Sequence, residues 1–208
     1  VTGQQESRRP LKTRSAAWAQ ALASALARTR VTPNQISVAS LVFAGAGAAA
    51  LLCWPGAPGQ VLCALGVQLR LLCNLLDGMV AVEGGKKSLV GHLYNELPDR
   101  IADSIFIVAL GYAIGLPWLG WLGALAAALT AYVRALGGAL GFPQDFRGPM
   151  AKPHRMAVLT AGCLIGALES TLRGTHYALT IAAIVIAAGA LLTCATRTAA
   201  IARKLRAS

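Results

Sequence analysis

Two stretches decide how this chain folds. The first is Arg70-Leu71-Leu72-Cys73-Asn74-Leu75-Leu76-Asp77-Gly78-Met79-Val80-Ala81-Val82-Glu83; the second, after a short turn, is Gly91-His92-Leu93-Tyr94-Asn95-Glu96-Leu97-Pro98-Asp99-Arg100-Ile101-Ala102-Asp103. Both belong to long apolar runs, where an ionisable side chain costs roughly 2.5–3.5 kcal/mol on membrane insertion and so marks a site. Helical spacing puts Asn74 and Asp77 on one face with Arg70 a turn earlier, and strings Asn95, Asp99 and Asp103 into an i, i+4, i+8 ladder. The short turn makes the two helices antiparallel neighbours. Oxygen groups of Asn74 and Asp77 then face those of Asn95 and Asp99 near one membrane surface, a donor set suited to a hard divalent cation such as Mg²⁺ or Mn²⁺. A second reading stays open here, in which these are helix-packing polar groups, Asp99 pairs with Arg70 or Arg134, and Asp103 lines a wet crevice.

The rest of the chain sets the frame. Of 208 residues, 56% are hydrophobic and only 13% charged, which excludes an ordinary soluble domain. A spanning helix needs roughly 20 mostly apolar residues, so there is room for six spans. Punctuation by Gly, Pro and charge predicts them near 35–54, 60–82, 92–115, 117–141, 154–171 and 176–202. Residues 15–30, with Trp18, Leu22 and Leu26 at four-residue spacing, predict an amphipathic helix on the membrane surface. The expected fold class is therefore an all-α integral membrane protein, six transmembrane helices preceded by an N-terminal amphipathic surface helix. Residues 1–34 are expected to form a cytoplasmic tail with that juxtamembrane helix, and 35–208 a single transmembrane domain.

Nineteen Lys and Arg against eight Asp and Glu give a net charge of +11, which in a membrane protein points to anionic lipid or an anionic substrate and not to nucleic acid. The basic residues fall on one side: Arg8, Arg9, Lys12, Arg14, Arg28 and Arg30 before the first span, Lys86 and Lys87 in one turn, Arg147, Lys152 and Arg155 in another, and Arg197, Arg203, Lys204 and Arg206 at the end. Only Arg173 lies opposite. Lys and Arg are retained in the cytoplasm, so both termini and the polar cluster are expected at the cytoplasmic face of a bacterial inner membrane. The five cysteines lie in apolar runs without metal-ligand spacing and are read as small buried side chains.

The spacing of the polar cluster resembles the CDP-alcohol phosphotransferase family, whose pattern is D-x-x-D-G-x-x-A-R, eight residues, then G-x-x-x-D-x-x-x-D. Here the chain reads Asn74-x-x-Asp77-Gly78-x-x-Ala81-Val82, eight residues, then Gly91-x-x-x-Asn95-x-x-x-Asp99. Thr32-Pro33-Asn34-Gln35 resembles the family's entry to the first span, Tyr132-Val133-Arg134-Ala135 its basic position facing the site, and the stretch from Arg147 to Arg155 its basic loop. The resemblance implies metal-dependent transfer of a substituted phosphate from a CDP-linked donor, usually CDP-diacylglycerol, to an alcohol acceptor with release of CMP, by a homodimer among membrane lipids. By position Asp99 would be the catalytic base. Asn74, Asp77, Asn95, Glu96 and Asp99 would hold Mg²⁺ or Mn²⁺, with Asn34, Asp77, Gly78, Ala81 and Gly91 at the nucleotide. Arg70, Arg134, Lys152 and Arg155 would contact phosphate.

Two of the family's four aspartates are Asn here, and its arginine is Val82. The site therefore lacks two negative charges and one phosphate-binding cation. Glu83 and Glu96 stand beside the altered positions as possible replacements, and Lys86, Lys87 or Arg70 could substitute for the arginine. A catalytically impaired relative that binds CDP-lipid, or a small ion-coupled transporter, is the alternative to an active transferase.

Overall fold

The computed structural model describes residues 16–86, 88–175 and 177–207. Arg8, Arg9, Lys12, Arg14 and Lys87 lie outside the described residues. Among those described there are seven helices and no strand: α1 (Ala17–Ala27), α2 (Pro33–Cys53), α3 (Ala57–Glu83), α4 (Gly91–Ala113), α5 (Pro117–Ala139), α6 (Lys152–Arg173) and α7 (Tyr177–Ala207).

Four of the helices start where their chemistry says they should. Thr32 caps α2 in a reciprocal box: its hydroxyl accepts from the Gln35 backbone N–H at 3.2 Å, and the Gln35 side chain accepts from the Thr32 N–H at 2.9 Å. Proline stands in the first two positions of α2, α3, α5 and α6, where its missing N–H costs nothing. Gly174, at φ 66°, ends α6 in the left-handed conformation. The α6 helix begins two residues earlier than expected because Lys152 and Pro153 form its first turn. The α7 helix runs five residues past the expected 202, since Lys204 and Arg206 suit the negative end of a helix.

Five of the described helices, α2, α3, α5, α6 and α7, are long and apolar enough to cross a membrane. The α4 helix has the length, but Glu96, Asp99, Arg100 and Asp103 lower its hydropathy. Outward faces carry Val42, Leu65, Leu125, Ile165, Leu168 and Ile181, all exposed, as in a protein solvated by lipid chains. This is an integral membrane protein.

The helices form one bundle in which α2 packs on α3 and α4, α5 on α4 and α7, and α6 on α3 and α7. Without a hydrophobic force between helices in lipid, close backbone approach drives the packing. A methyl group added at Gly66 would lie 2.9 Å from the Gly47 Cα, and one at Gly111 2.5 Å from the Gly120 Cα. Between these crossings Val67, Phe106, Ile107, Leu110, Leu159 and Ile186 fill the core. The α1 helix lies on α3, burying Ala19 and Ala23 against Leu76, Met79 and Val80.

Candidate functional site

At the end of the bundle where α3 meets α4, the polar residues converge with others from α5, α6 and α7. Asp103 is the structural centre. One of its oxygens accepts from Arg70 Nη2 at 2.7 Å and the other from Arg155 Nη2 at 2.8 Å, and all three groups are fully buried. Arg70 Nη2 also donates to the Asp99 carbonyl at 3.1 Å and to Asp99 Oδ1 at 3.2 Å. The other Asp99 oxygen is taken by the Lys152 ammonium, which arrives from the first turn of α6. Asp99 thus pairs with Arg70, as one reading of the sequence had it, but its second partner is Lys152 and not Arg134.

Arg134 comes from α5 and binds Glu96 Oε1 at 2.6 Å, with Arg100 on the same oxygen at 3.1 Å. Its guanidinium lies 5.5 Å from the centre of the Phe146 ring and donates to Gln144 Oε1 at 3.2 Å. Arg155 Nη1 reaches back to the Met150 carbonyl at 2.9 Å, which fastens the α5–α6 loop to the cluster. In the same loop, Arg147 grips both Asp145 oxygens at 2.8–3.0 Å and holds that carboxyl below the usual carboxylate range.

Asp77 lies in the wall between α2 and α3, almost wholly buried, with Ser37 Oγ donating to its Oδ2 at 2.5 Å. Its Oδ1 is buried and has no hydrogen-bond partner. A buried carboxylate oxygen without a donor is costly, and a hard cation would satisfy it. The amide oxygens of Asn74 and Asn95 on the two motif helices are the neutral donors that would complete a set for one Mg²⁺ or Mn²⁺, since both Asp99 oxygens are already engaged by Arg70 and Lys152. Among the described residues no three His, Cys, Asp or Glu converge as a metal cluster, because two of the positions carry Asn.

The cavity beside this cluster has a volume of about 600 Å³. Asn74, Asn95, Glu96, Asp99, Arg134, Lys152 and Arg155 line it, so seven of the expected residues, from four helices, share one space, while the buried Arg70 and Asp77 do not line it. Trp18, Leu71, Leu72 and Leu75 make an apolar side of the same cavity. Gly78, Ala81 and Gly91 are partly buried on the two motif helices, and Asn34 stands in the first turn of α2. Glu83 is instead drawn toward α1, accepting from Ser24 Oγ at 3.3 Å, and Lys86 donates to the Thr29 and Val31 carbonyls at 2.6 and 3.0 Å.

Three contributors were not assigned to the site from the sequence. Ser37 is a small residue in an apolar helix and gave no signal. Arg197 lines the cavity from α7, where it donates to the Arg147 and Thr130 carbonyls at 2.8 Å each. An arginine inside an apolar run was the clue to it. Trp18 reaches the cavity only because α1 lies across α3.

No family-wide sequence profile matches the chain. It is 35% identical over 144 residues to an archaetidylinositol phosphate synthase of Aeropyrum pernix, an overlap of 69% of this chain and 72% of the relative. Among solved structures it is similar to the phosphatidylinositol phosphate synthase of Mycobacterium tuberculosis with CDP-DAG bound, at a TM-score of 0.75 and 21% identity over 89% of this chain and 94% of that one. The same enzyme in complex with manganese and citrate gives a TM-score of 0.77 at 21% identity, over 88% of each chain. The likeness to those structures is one of fold. Motif spacing, the convergence of both motif helices on one cavity, and the identity and coverage of the archaeal relative together place this chain in the CDP-alcohol phosphotransferase family.

Proposed function

We propose that this protein transfers a lipid-bearing phosphate from a CDP-linked lipid, CDP-diacylglycerol or its archaetidyl counterpart, to a hydroxyl of inositol phosphate, releasing CMP. The observation that carries this is the cavity, which Asp99 lines together with five cationic side chains, Arg100, Arg134, Lys152, Arg155 and Arg197. A donor pyrophosphate and a phosphorylated acceptor bring the matching negative charge. The products named for the archaeal relative and for the mycobacterial enzyme are both inositol phosphate lipids.

In this reading Arg134 and Arg197 face the acceptor's phosphate and Arg155, held by Asp103, lends its charge from the cavity wall, while Asn34, Gly78, Ala81 and Gly91 border the nucleotide. Glu96 positions Arg134 through their 2.6 Å bond. Asp99 takes the proton from the attacking hydroxyl as its oxygen bonds to the lipid-bearing phosphorus, and the bond from that phosphorus to the CMP oxygen breaks. Arg70 and Lys152 hold and aim the Asp99 carboxyl through their ion pairs. Asp77 with Asn74 and Asn95 would hold Mg²⁺ or Mn²⁺, which would supply neutralisation of the pyrophosphate. The apolar side of the cavity, with Trp18 and Leu72, receives the start of the lipid chains.

The α4 helix completes six spans, its charged groups turned to the cluster and Leu93, Leu97, Ile101 and Tyr112 turned outward. With six spans both ends and the cavity share the cytoplasmic side, and α1 lies on that surface with Trp18 and Leu22 toward lipid. A homodimer is part of the same proposal, with cross-linking in membranes as its check. For the activity, CMP release from CDP-diacylglycerol is measured with Mg²⁺ or Mn²⁺ and a panel of inositol phosphate, inositol, glycerol 3-phosphate and serine. Release that needs inositol phosphate and Asp99 is expected; CDP binding without release from any acceptor would identify an impaired relative instead.

A further inference from the structure

We propose that the Lys152 ammonium is a built-in cation that keeps a second divalent ion off Asp99, so that this chain works with one metal ion, held on the Asp77 side of the site. The inference rests on the reading that the site takes a divalent cation and a CDP-linked donor. Its basis is the disposition of charge around Asp99. Both Asp99 oxygens are engaged, Oδ1 by Arg70 and Oδ2 by Lys152, whereas Asp77 Oδ1 is buried with no partner. The two motif carboxylates are therefore not equivalent. One has a buried oxygen without a hydrogen-bond partner, and the other has its charge shared by two cations.

The surroundings of Asp99 reinforce this asymmetry. Lys152 is the first residue of α6, whose N-terminus has no side-chain cap and no acidic residue in its first turn. The positive end of the helix dipole therefore faces the same space, which favours anions and disfavours a second dication. Arg155, one turn on, cannot be released to make room, because Asp103 and the Met150 carbonyl hold it.

The same space holds further cations, Arg100, Arg134 and Arg197, against one further acid, Glu96, so the charge around Asp99 is in positive excess before any ion enters. Asn74 and Asn95 carry no charge to offset a second ion. Their amide oxygens still serve the first. Lys152 takes over the role of the missing ion as a fixed positive charge beside the leaving pyrophosphate.

The test is the number of Mn²⁺ ions bound by purified protein in detergent with CDP present, counted by electron paramagnetic resonance of free Mn²⁺. Wild type is expected to bind one ion, Lys152→Arg one, and Lys152→Met two, while Asp77→Asn binds none. A wild-type count of two or of zero overturns the proposal without any variant, so it stays falsifiable if Lys152→Met fails to fold. An unchanged count in a folded Lys152→Met protein overturns it, as does an ion retained by Asp77→Asn. CMP release is followed separately on the wild type. Its absence with every acceptor would refute the transfer reaction, and the ion counts would still decide the role of Lys152.

Discussion

Asp103 sits between two fully buried guanidinium groups, and at the scale of single residues it has more structural weight than any other acid in the chain. Asp103→Ala leaves Arg70 and Arg155 facing each other without a counter-charge, and removing one partner of a buried pair costs about 3–5 kcal/mol. Thermal unfolding in detergent is expected to fall accordingly, with Asp103→Asn losing less because the amide oxygen still accepts one bond. Asp99→Asn should behave in the opposite way. Arg70 keeps Asp103 as its partner at 2.7 Å, so the fold survives, while CMP release drops by about 10²–10⁴-fold, the range of a lost general base. Arg134→Gln tests the acceptor subsite: KM for a phosphorylated acceptor is expected to rise about tenfold, a change of roughly 1.4 kcal/mol in binding, with KM for the donor less affected.

Among the elements, α4 is held both by backbone contact with α5 and by the core side chains Phe106, Ile107 and Leu110. Gly111 and Gly120 let α4 and α5 touch, and a methyl at Gly111 would fall 2.5 Å from the partner Cα. Gly111→Ala therefore has no space that a flexible side chain could yield, and overpacking of this kind costs about 1–3 kcal/mol. The lowered melting temperature is expected to come with lost activity, since α4 carries Asp99. The α5–α6 loop has a different dependence. Arg147 depresses the Asp145 carboxyl below its ordinary value near 3.9, so the pair's contribution is complete above that value and is lost as pH falls through the lowered one. Limited proteolysis of this loop should increase only in that acidic window and not near neutrality.

For the whole molecule, the distribution of cations predicts sidedness. A Ser88→Cys variant, in the α3–α4 turn, is expected to resist an impermeant thiol reagent in intact cells and to react in inverted vesicles; the reverse pattern would refute the proposed topology. The same bundle explains the shape of the cavity. The motif helices α3 and α4 supply one wall, α5, α6 and α7 supply the basic wall, and α1 closes the apolar side with Trp18. Lipid chains and charged head groups can then occupy one continuous space at the membrane surface.

Hydrophobic run lengths and the charges between them were enough to predict the helices, because a backbone in lipid must satisfy its own hydrogen bonds and has few alternatives to a helix. Spacing alone pointed to Asn74, Asn95 and Asp99, which line one cavity, since residues a turn apart share a face and a short turn makes neighbours of the two helices; Asp77 lies instead in the α2–α3 wall against Ser37. Only the tertiary structure decided who neutralises whom. Arg70 chose both Asp99 and Asp103, Glu96 went to Arg134, Lys86 went to the α1–α2 connection, and Lys152 crossed from another helix to Asp99. Those pairings depend on helix rotation and side-chain reach between segments dozens of residues apart, which no local pattern encodes.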